Sequence, residues 1–451
     1  MAPARTGAGS RRAKPGLYQD GPVSAALAAL RETRGPCVLF ESTGGSGPRA
    51  RRSLLARHPR ALMVADGEGV RLATAHGIQR LATDPIGALR SLIEGRPQGR
   101  WPHEGAVAGA LAYDFARPRR GASTPRLVAI AVDQLLVEED GRLVAPGSAP
   151  APPLPDLEGP WTRLAPPAGR LRRPLDLARW SNLSAEEHAA IVRRIQEHIA
   201  AGDIYQANVS QRFTLPWTAG GLALYERLRI LSPAPFSGYL RAAGLEIVSA
   251  SPERLVEVAE GRATTRPIAG TRPRAADPSA DRALAAELIL SEKERAEHLM
   301  LVDLARNDLG QVAEVGSVSV DEMMAVEDYA HVRHIVSNVT ARLAPGRGPL
   351  EALLALFPGG TITGVPKRRC MEILDEVEPA PRGFYTGALF YITRSGRMDA
   401  NILIRSAVVT GGALTFQAGG GIVADSEPAF EYAETLHKAE GLRQAIEALL
   451  E

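Results

Sequence analysis

The pattern of apolar and polar positions is clearest after residue 180. Ser184-Ala-Glu-Glu187 has the form of a capping box, and Ile191, Ile195 and Ile199 follow it at helical spacing until Gly202. Further helices are predicted at about 279–290, 292–306, 350–356, 367–375 and 427–450. Apolar runs bounded by turn residues predict strands at 204–215, 236–240, 246–249, 254–258, 385–394, 401–410 and 413–418.

The N-terminal third carries shorter, mixed segments. A strand is predicted at 37–41, a strand–turn–strand unit at 127–143, and apolar runs lie at 61–65 and 106–113. Nine prolines lie between Ala145 and Pro174, too many for a helix or an interior strand. We therefore expect a disordered basic tail (1–16), an N-terminal subdomain (17–145), a proline-rich connection (146–176) and a C-terminal domain (177–451).

The order of the predicted elements indicates the fold class. Strands and helices come in blocks rather than in strict alternation, which favours an α+β fold with antiparallel sheets. No internal repeat of 20–50 residues is evident.

The composition is that of a soluble globular protein, with 45% hydrophobic and 23% charged residues. No run approaches about 18 uninterrupted apolar residues, and the start lacks the apolar stretch of a secretory signal. The basic start, with no acid before Asp20, is consistent with a transit peptide or a disordered tail, and we favour the tail. Cys37 and Cys370 form no disulfide framework or CxxC motif. We expect a cytoplasmic protein that does not bind membranes.

Charge is distributed unevenly along the chain, although the net charge is +2. Residues 1–180 hold 26 Lys and Arg against 16 Asp and Glu, and the remainder holds 27 against 35. The arginines of the basic part are scattered, without an aromatic-interleaved basic run or a nucleic-acid-binding motif. We therefore expect solvated surface or a protein partner there, and no nucleic acid.

Two predicted helices each carry a pair of glutamates three positions apart, Glu294 with Glu297 and Glu431 with Glu434. At this spacing both side chains share one helix face, where like charges repel unless a cation lies between them. Carboxylates without a convergent Cys or His cluster suit Mg²⁺. The alternative is structural, since Glu294 can cap its own helix and Glu434 can pair with Lys438.

Two glycine-rich segments form a second group of candidates, PGGTITG at 358–364 and Gly419-Gly420-Gly421 after a predicted strand. Consecutive glycines let backbone N–H groups approach an anion closely, although turn formation explains either segment alone. Neither segment matches a P-loop or a dinucleotide-binding fingerprint, so nucleotide binding is not predicted.

His334 and Arg405 are single-residue candidates. His334 precedes Ile335 and Val336 and is expected on a half-buried segment, in a structural or a catalytic role. Arg405 follows the apolar run 402–404 and would place a guanidinium at a strand end, either to bind a carboxylate or to form a surface salt bridge. Taken alone, these residues indicate a soluble α+β protein with a candidate site for Mg²⁺ and a dianion.

The segments from about Ala201 to Ala439 together resemble the chorismate-utilising enzymes. The resemblance runs through AGDIYQANVSQRF, SASPERL, TRPIAGTRPR, ERAEHLMLVDLARNDLG, FPGGTITGVPKRRCMEILDEVEP and GGGIVADSEPAFEYAETLHKA. More loosely, LFES at 39–42 resembles an element beside a tryptophan pocket in amine-forming members, which makes Ser42 a candidate pocket residue. The resemblance implies a layered α/β sandwich with antiparallel sheets, and it makes 177–451 the chorismate-binding catalytic domain.

The resemblance also implies a Mg²⁺ cofactor. Glu297 and Glu434 match the direct metal ligands, and Glu294 and Glu431 match supporting carboxylates at the catalytic centre. The metal would lie between the protein and a carboxylate of chorismate.

Further matching positions imply contacts with chorismate itself. His334 matches a histidine close to the C4 hydroxyl that leaves, and Thr361 matches a threonine that orients the substrate. The matches to substrate-binding residues are Gly270, Thr271, Tyr385, Arg405, Gly419, Gly420, Gly421 and Lys438.

The resemblance also implies ammonia rather than water as the nucleophile, since family members that add water carry a lysine base where this chain has Gln206. The resemblance leaves no room for a glutaminase within the chain, and neither cysteine lies in a nucleophile elbow. A separate glutamine amidotransferase subunit is therefore the expected partner, and chorismate the expected substrate.

Five local features resemble aminodeoxychorismate synthase component I more than anthranilate synthase component I: Asn208, SPAPFS, SPERL, PGGTITG and GGGIVADSEP. Against them stands Ala269, where many aminodeoxychorismate synthases have a lysine thought to attack C2 of chorismate and alanine is the anthranilate-type residue. We expect a transferase that makes 4-amino-4-deoxychorismate for p-aminobenzoate and folate synthesis. The alternatives are anthranilate synthase component I, which Ala269 favours, and an inactive regulatory homologue.

Overall fold

A computed structural model describes residues 24–43, 53–95, 104–119, 124–139, 142–144, 151–163, 165–275, 277–328 and 332–450. The predicted tail at 1–16 lies outside these residues. The described chain combines helices with two antiparallel sheets, which confirms the α+β class and the layered sandwich. Within these ranges no helix has both the length and the apolar character needed to cross a bilayer.

The α-helices of the described residues are α1 (Ala25–Glu32), α2 (Pro85–Glu94), α3 (Ala185–Ala200), α4 (Gly221–Leu231), α5 (Pro278–Leu290), α6 (Glu292–Gly310), α7 (Pro349–Leu356), α8 (Lys367–Val377) and α9 (Pro428–Glu447). Local sequence rules locate several of their ends. The predicted capping box begins α3, because Ser184 Oγ accepts from the Glu187 backbone N–H and the Glu187 carboxylate accepts from the Ser184 N–H.

The strands are β1 (Cys37–Glu41), β2 (Ser53–Arg57), β3 (Ala61–Asp66), β4 (Gly69–Thr74), β5 (Gly77–Leu81), β6 (Glu104–Leu111), β7 (Leu127–Glu139), β8 (Arg142–Val144), β9 (Gln206–Pro216), β10 (Phe236–Ala242), β11 (Leu245–Ser251), β12 (Arg254–Ala259), β13 (Arg262–Thr265), β14 (Ile268–Pro273), β15 (Ser319–Asp328), β16 (Val332–Arg342), β17 (Gly364–Val365), β18 (Ala388–Thr393), β19 (Met398–Asn401), β20 (Ser406–Thr410) and β21 (Ala413–Ile422).

The first sheet has the order β8-β7-β2-β1-β10-β11-β20-β21-β9-β17. The second has the order β5-β4-β3-β7-β6-β18-β19-β12-β13-β16-β15, and β14 pairs with β16 beside β13. The long strand β7 belongs to both sheets. Strands from both sides of the proline-rich connection pair within each sheet, and the domain boundaries stay a prediction.

Two predicted strands differ from the structure in a way that concerns the candidate site. The predicted strand at 401–410 is divided into β19 and β20, and Arg405 lies between them with a φ of 51°. This left-handed conformation cannot continue an extended strand. Tyr385 was predicted inside a strand, but it lies in the turn before β18. Both residues therefore stand at strand ends, where side chains can face a cleft.

The hydrophobic cores fix the two helices that carry the glutamate pairs. Helix α9 buries Ala439, Leu442, Ala445 and Ile446 along one face, in a cluster that also contains apolar residues of β20 and β21. Burial of each large aliphatic side chain contributes roughly 1.5–3 kcal/mol, so this face sets the rotation of the helix. The first turns of α9 are thereby held beside β21.

Candidate functional site

The candidate site lies at the N-terminal ends of α6 and α9. Glu294 and Glu297 belong to the first two turns of α6, and Ser291 caps this helix by accepting from the Glu294 backbone N–H. Glu431 and Glu434 occupy the corresponding turns of α9. The predicted spacing therefore places each pair on one helix face, at the end where the helix dipole favours negative charge.

The α6 pair contacts two residues of the sheets. Gln206 Nε2 donates to Glu297 Oε1 at 3.1 Å, and Arg272 Nη1 donates to Glu294 Oε1 at 3.2 Å. Burial raises the pKa of Glu297, and the charge of Glu294 adds to this, while the Gln206 hydrogen bond acts in the opposite direction. The ionised form of Glu297 is thus disfavoured unless a cation is nearby.

The α9 pair has one lysine and one unsatisfied oxygen. Lys438 Nζ donates to Glu434 Oε1 at 2.6 Å and to the Gly419 carbonyl at 3.1 Å, which confirms the predicted Glu434–Lys438 ion pair. Glu431 is 7% exposed, and its Oε2 has no hydrogen-bond partner among the described residues. Burial raises the pKa of Glu431, and the charge of Glu434 adds to the effect.

The two pairs share one electrostatic environment, because the charges of Lys293 and Lys438 both act on Glu297 and on Glu431. In the ranges that the structure describes, however, no three acidic, His or Cys side chains stand close enough together to hold a metal ion. The donor set nevertheless fits a hard cation, since it consists of carboxylates, one buried carboxylate oxygen lacks a partner, and burial disfavours the charge on two of them.

Gly270 and His334 meet at an irregularity in the sheet. Strand β14 pairs with β16 through Ala269 and Ile335 and then through Thr271 and His334, so that Gly270 is the extra residue of a bulge. Its φ is +64°, and a Cβ there would lie 2.9 Å from Glu294 Oε2, so glycine is required. The Gly270 carbonyl accepts from His334 Nδ1 at 3.1 Å.

His334 is half-buried, as the sequence predicted. Burial lowers the pKa of the imidazole and the Arg405 charge lowers it further, while the hydrogen bond to Gly270 opposes both. Because the Gly270 carbonyl can only accept, Nδ1 carries the proton of the neutral ring. His334 is therefore suited to accepting a hydrogen bond through Nε2 rather than to storing a proton. Thr271 lies opposite it on β14, but its side chain is outside the described part of the structure.

The three consecutive glycines, Gly419 to Gly421, lie on β21 and pair with β9. A Cβ at Gly421 would lie 2.3 Å from Gln206 Nε2, and one at Gly420 would lie 3.2 Å from Glu431 Oε2. Side chains at these positions would displace the polar groups that surround the carboxylates. The glycines therefore leave room for Glu431 on one face of β21 and for Gln206 on the other, beyond any role in turn formation.

Arg405 provides a cation whose charge reaches His334. Its side chain is exposed, yet desolvation lowers its pKa, a combination expected for a group in the wall of a cleft. Among the described residues its guanidinium forms no hydrogen bond or ion pair, and its charge acts on His334. The predicted surface salt bridge is therefore absent from this part of the chain, and a carboxylate could bind there.

Tyr385 and Thr361 are connected through Arg382, a residue that the sequence analysis did not single out. Arg382 is 2% exposed and donates to both oxygens of Glu378 at 2.8 Å. It also donates to the Ile362 carbonyl at 2.8 Å, and its guanidinium lies 5.9 Å from the centre of the Tyr385 ring. A single buried cation thus fixes the positions of the tyrosine and of the loop that carries the threonine.

Glu253 is a second residue of the site that no sequence pattern indicates. Thr361 Oγ1 donates to Glu253 Oε1 at 2.8 Å, and burial raises the pKa of Glu253 to about 7. SPERL, which contains Glu253, was noted only as part of the resemblance, because nothing in a sequence shows that a glutamate is 8% exposed. The structure places a carboxyl group with a pKa raised to about 7, and so partly protonated at neutral pH, beside the predicted substrate-orienting threonine.

We expect Glu253→Gln to flatten the pH dependence of stability. The pKa rises from its ordinary value of 4.5 to about 7 on folding, so folding takes up a proton between these values. The raised pKa of Glu253 adds roughly 3 kcal/mol to the free energy of unfolding below pH 4.5. This contribution is lost as the pH rises through 7. Urea unfolding midpoints between pH 4.5 and 8 measure the slope of stability against pH. Glu257→Gln on β12 retains Glu253 and should keep the slope; equal slopes in wild type and Glu253→Gln would contradict the assignment.

Two other parts of the molecule lie away from the carboxylates. Ser42 follows β1, and its buried Oγ has no partner among the described residues, while the neighbouring Thr43 Oγ1 donates to the Ala234 carbonyl at 3.2 Å. Its role in a tryptophan pocket stays a prediction.

A groove of about 960 Å³ between α6, α8 and Tyr205 contains none of the predicted site residues, so we assign no chemistry to it.

Comparisons with known proteins agree on one family. A family model described as chorismate binding enzyme matches residues 35–444. Anthranilate synthase component 1 of Cereibacter sphaeroides is 38% identical over 95% of this chain and 92% of that protein. The Geobacillus stearothermophilus protein of the same name is 49% identical over 59% of this chain. The chain spans about half the length of this relative, since the match covers 53% of it.

Structural comparison gives the same result. Anthranilate synthase component I from Streptococcus pneumoniae superimposes with a TM-score of 0.75 at 29% identity, covering 96% of this chain and all of that one. A 2,3-dihydroxybenzoate-specific isochorismate synthase from Bacillus anthracis, at 21% identity and a TM-score of 0.68, shows the same fold.

The prediction of an aminodeoxychorismate synthase, with its p-aminobenzoate and folate roles, is wrong. Relatives across nearly the whole chain are named anthranilate synthase component 1 instead. One of the short features that favoured the first prediction, SPAPFS, lies next to Thr43, whose hydroxyl donates to the Ala234 carbonyl. Ala269, the feature that favoured the alternative, directly precedes the Gly270 bulge beside His334. Position 269 therefore bears on the chemistry more directly than SPAPFS does.

Proposed function

The chain belongs to the family of chorismate-binding enzymes, and from this premise we propose that it is component I of an anthranilate synthase. In this proposal ammonia adds to C2 of the chorismate ring and the C4 hydroxyl departs. Loss of the enolpyruvyl group as pyruvate then leaves the aromatic product, anthranilate.

The similarity to anthranilate synthase component 1 over 95% of the chain carries the choice of product. The lysines support it. Lys293 pairs with Asp425, Lys367 with Asp308 and Lys438 with Glu434, so each described lysine forms an ion pair with a carboxylate. With alanine at position 269, no described lysine stands ready to form a covalent bond with C2, which leaves C2 open to ammonia.

The glutamate pairs supply the site for the metal in this proposal. Glu297 and Glu434 would hold Mg²⁺, with Glu294 and Glu431 in support, and bound Mg²⁺ would neutralise a carboxylate of chorismate. Arg405 would bind the second carboxylate of the dianion, because its guanidinium is partly desolvated and forms no hydrogen bond or ion pair among the described residues. Tyr385 would contact the same side of the substrate.

Departure of the C4 hydroxyl requires a proton. Glu253 is the better donor, because its pKa, raised to about 7, leaves a substantial fraction of it protonated at neutral pH, whereas the lowered pKa of His334 favours the neutral ring. Thr361, bonded to Glu253, would orient the hydroxyl, and His334 would accept a hydrogen bond from the substrate. These roles extend the predicted ones and rest on the protonation of the two groups and on the hydrogen bond between Thr361 and Glu253.

A product assay tests the proposal. The purified chain, incubated with chorismate, Mg²⁺ and ammonium, should release anthranilate directly, identified by fluorescence and chromatographic retention. Removal of Mg²⁺ by EDTA should stop the reaction. Formation of p-aminobenzoate, and only after aminodeoxychorismate lyase is added, would contradict the choice of product.

The same assay tests the partner through its amine donor. The name component 1 implies a second component, and we propose a glutamine amidotransferase that supplies ammonia. Glutamine in place of ammonium should give no product with the isolated chain and should give anthranilate once the amidotransferase is added. Glutamine-dependent turnover by the chain alone would refute this arrangement.

A further inference from the structure

A buried histidine lies beside one of the glutamates of the candidate metal site. His298 directly follows Glu297 on α6 and is 0% exposed. Its Nε2 forms a hydrogen bond of 2.6 Å with the Ser337 hydroxyl on β16, and Ser337 is 0% exposed as well. The two residues are 39 positions apart in the chain, so this bond ties the first part of α6 to the sheet.

The turns of α6 that carry the glutamates lack buried apolar side chains. Of residues 292–300, all within the described part of the chain, only His298 is buried. The apolar residues that α6 buries, Leu301, Val302 and Leu309, come later in the helix. Packing of an apolar face ordinarily sets the rotation of a helix about its axis. In these first turns a directional hydrogen bond takes that role.

Two other hydrogen bonds join these turns to the sheets, and both use the glutamates themselves. Arg272 donates to Glu294, and Gln206 donates to Glu297. A bound cation would take the same carboxylate groups as ligands. The bond between His298 and Ser337 differs, because it holds the helix and leaves both carboxylates available to the metal.

Ser337 is itself fixed at an irregularity of the sheet. The pairing of β15 with β16 shifts register between Glu322 and Ala325, and Met324 within this interval has a φ of 53°. The Met324 backbone N–H donates to Ser337 Oγ at 2.9 Å. One hydroxyl therefore joins α6, β15 and β16, and β16 also carries His334.

We propose that His298 is a positioning residue that orients the first two turns of α6, and thereby directs Glu294 and Glu297 toward the cation. Glu294 lies one turn before His298 on the same helix face, and Glu297 is rotated from it by about 100°. A side chain held against the sheet at position 298 thus sets the direction of both carboxylates. The inference rests on the proposed function, which assigns the metal to these glutamates.

Hydrogen exchange of the metal-free protein tests this orientation without turnover. In His298→Asn the shorter amide does not reach Ser337, so the backbone amides of residues 296–300 should exchange about five- to tenfold faster than in wild type. In His298→Gln the longer amide offers Ser337 either a donor or an acceptor, and exchange should stay within about twofold of wild type. Ser337→Ala removes the same bond from the strand and should behave like His298→Asn, which also covers a failure of His298→Asn to fold.

Mg²⁺ binding shows whether the orientation serves the site. Titration calorimetry should give a dissociation constant for Mg²⁺ about five- to tenfold higher in His298→Asn, and the Mg²⁺ concentration for half-maximal turnover should rise by the same factor. Turnover at saturating Mg²⁺ should stay within about threefold of wild type, because His298 contacts neither metal nor substrate. His298→Gln should restore both Mg²⁺ constants.

Thr33→Val is the matched control for the loss of a buried hydrogen bond. Thr33 is 3% exposed at the end of α1, and its Oγ1 donates to the Ala29 carbonyl at 2.7 Å. This variant should unfold at a lower urea concentration than wild type, with unchanged Mg²⁺ binding and unchanged exchange at 296–300.

The outcomes separate this inference from the proposed function. Unchanged Mg²⁺ binding in both His298→Asn and Ser337→Ala would overturn the inference, and so would a His298→Gln variant that resembles His298→Asn. A wild-type chain that binds Mg²⁺ with these differences but aminates no chorismate would overturn the proposed function and support the positioning role. A wild-type chain that binds no Mg²⁺ would overturn the metal site, and this inference with it.

Discussion

Replacing Glu297 by glutamine should lower kcat/KM for chorismate by about 100-fold or more, with ammonium as the amine donor. Glutamine keeps the shape of the side chain but removes the negative charge that a divalent cation requires. Steady-state kinetics at several Mg²⁺ concentrations measure the loss. Titration calorimetry should show weaker Mg²⁺ binding in the same variant, which separates a loss of metal from a loss of substrate contact.

The matched control is Glu292→Gln, the same substitution in the first turn of α6 at an exposed position. It should leave turnover within about twofold of wild type. Stability provides a further check. Because burial and Glu294 raise the pKa of Glu297, its charge destabilises the metal-free fold, and Glu297→Gln should unfold at a higher urea concentration than wild type without Mg²⁺. Full turnover in Glu297→Gln would refute its role as a metal ligand.

The parts of the fold that follow local rules were predictable from the sequence. Helix α3 begins at Ser184 because a capping box is a local motif, and the first helical turns after Ser291 were located in the same way. Strands β14 to β16 were not predicted. Strand β15 is largely exposed and has no regular alternation, and β16 pairs with β13 and β14, whose residues lie some 60 to 80 positions earlier in the chain. Such pairing is a property of the tertiary fold.

The candidate site also has features that local rules predict and features that depend on tertiary packing. The spacing of Glu294 and Glu297 predicted that both share a helix face, and the structure agrees. That α6 and α9 lie in one electrostatic environment depends on packing and could be foreseen only through the family resemblance. Glu253 and Arg382 could not be predicted because their importance comes from burial. Glu253 is a buried carboxyl group with a raised pKa, and Arg382 is a cation almost inaccessible to water.

Arg382→Met should be among the most destabilising single substitutions in the protein, lowering the free energy of unfolding by about 3–5 kcal/mol. Methionine fills much of the space but leaves Glu378 without its cation, in a place where both side chains are at most 3% exposed. Glu378 would keep only the hydrogen bonds from the Ser210 backbone N–H and hydroxyl, both at 2.9 Å. The cost comes from the buried, uncompensated charge, and urea unfolding midpoints measure it.

Two variants separate this cause from the loss of an ion pair in general. Arg443→Met removes a cation bonded to Glu440 and Glu447 on the partly exposed side of α9, and it should lower the free energy of unfolding by no more than about 1 kcal/mol.

Glu378→Gln combined with Arg382→Met also removes the buried negative charge, so this double variant should be more stable than Arg382→Met alone. A double variant less stable than Arg382→Met would show that hydrogen bonds to the Ile362 and Asn208 carbonyls, rather than the charge of Glu378, dominate. The Ile362 carbonyl belongs to the loop that carries Thr361, and the Asn208 carbonyl belongs to β9. The folded fraction of Arg382→Met should therefore also show a raised KM for chorismate. Arg443→Met should not.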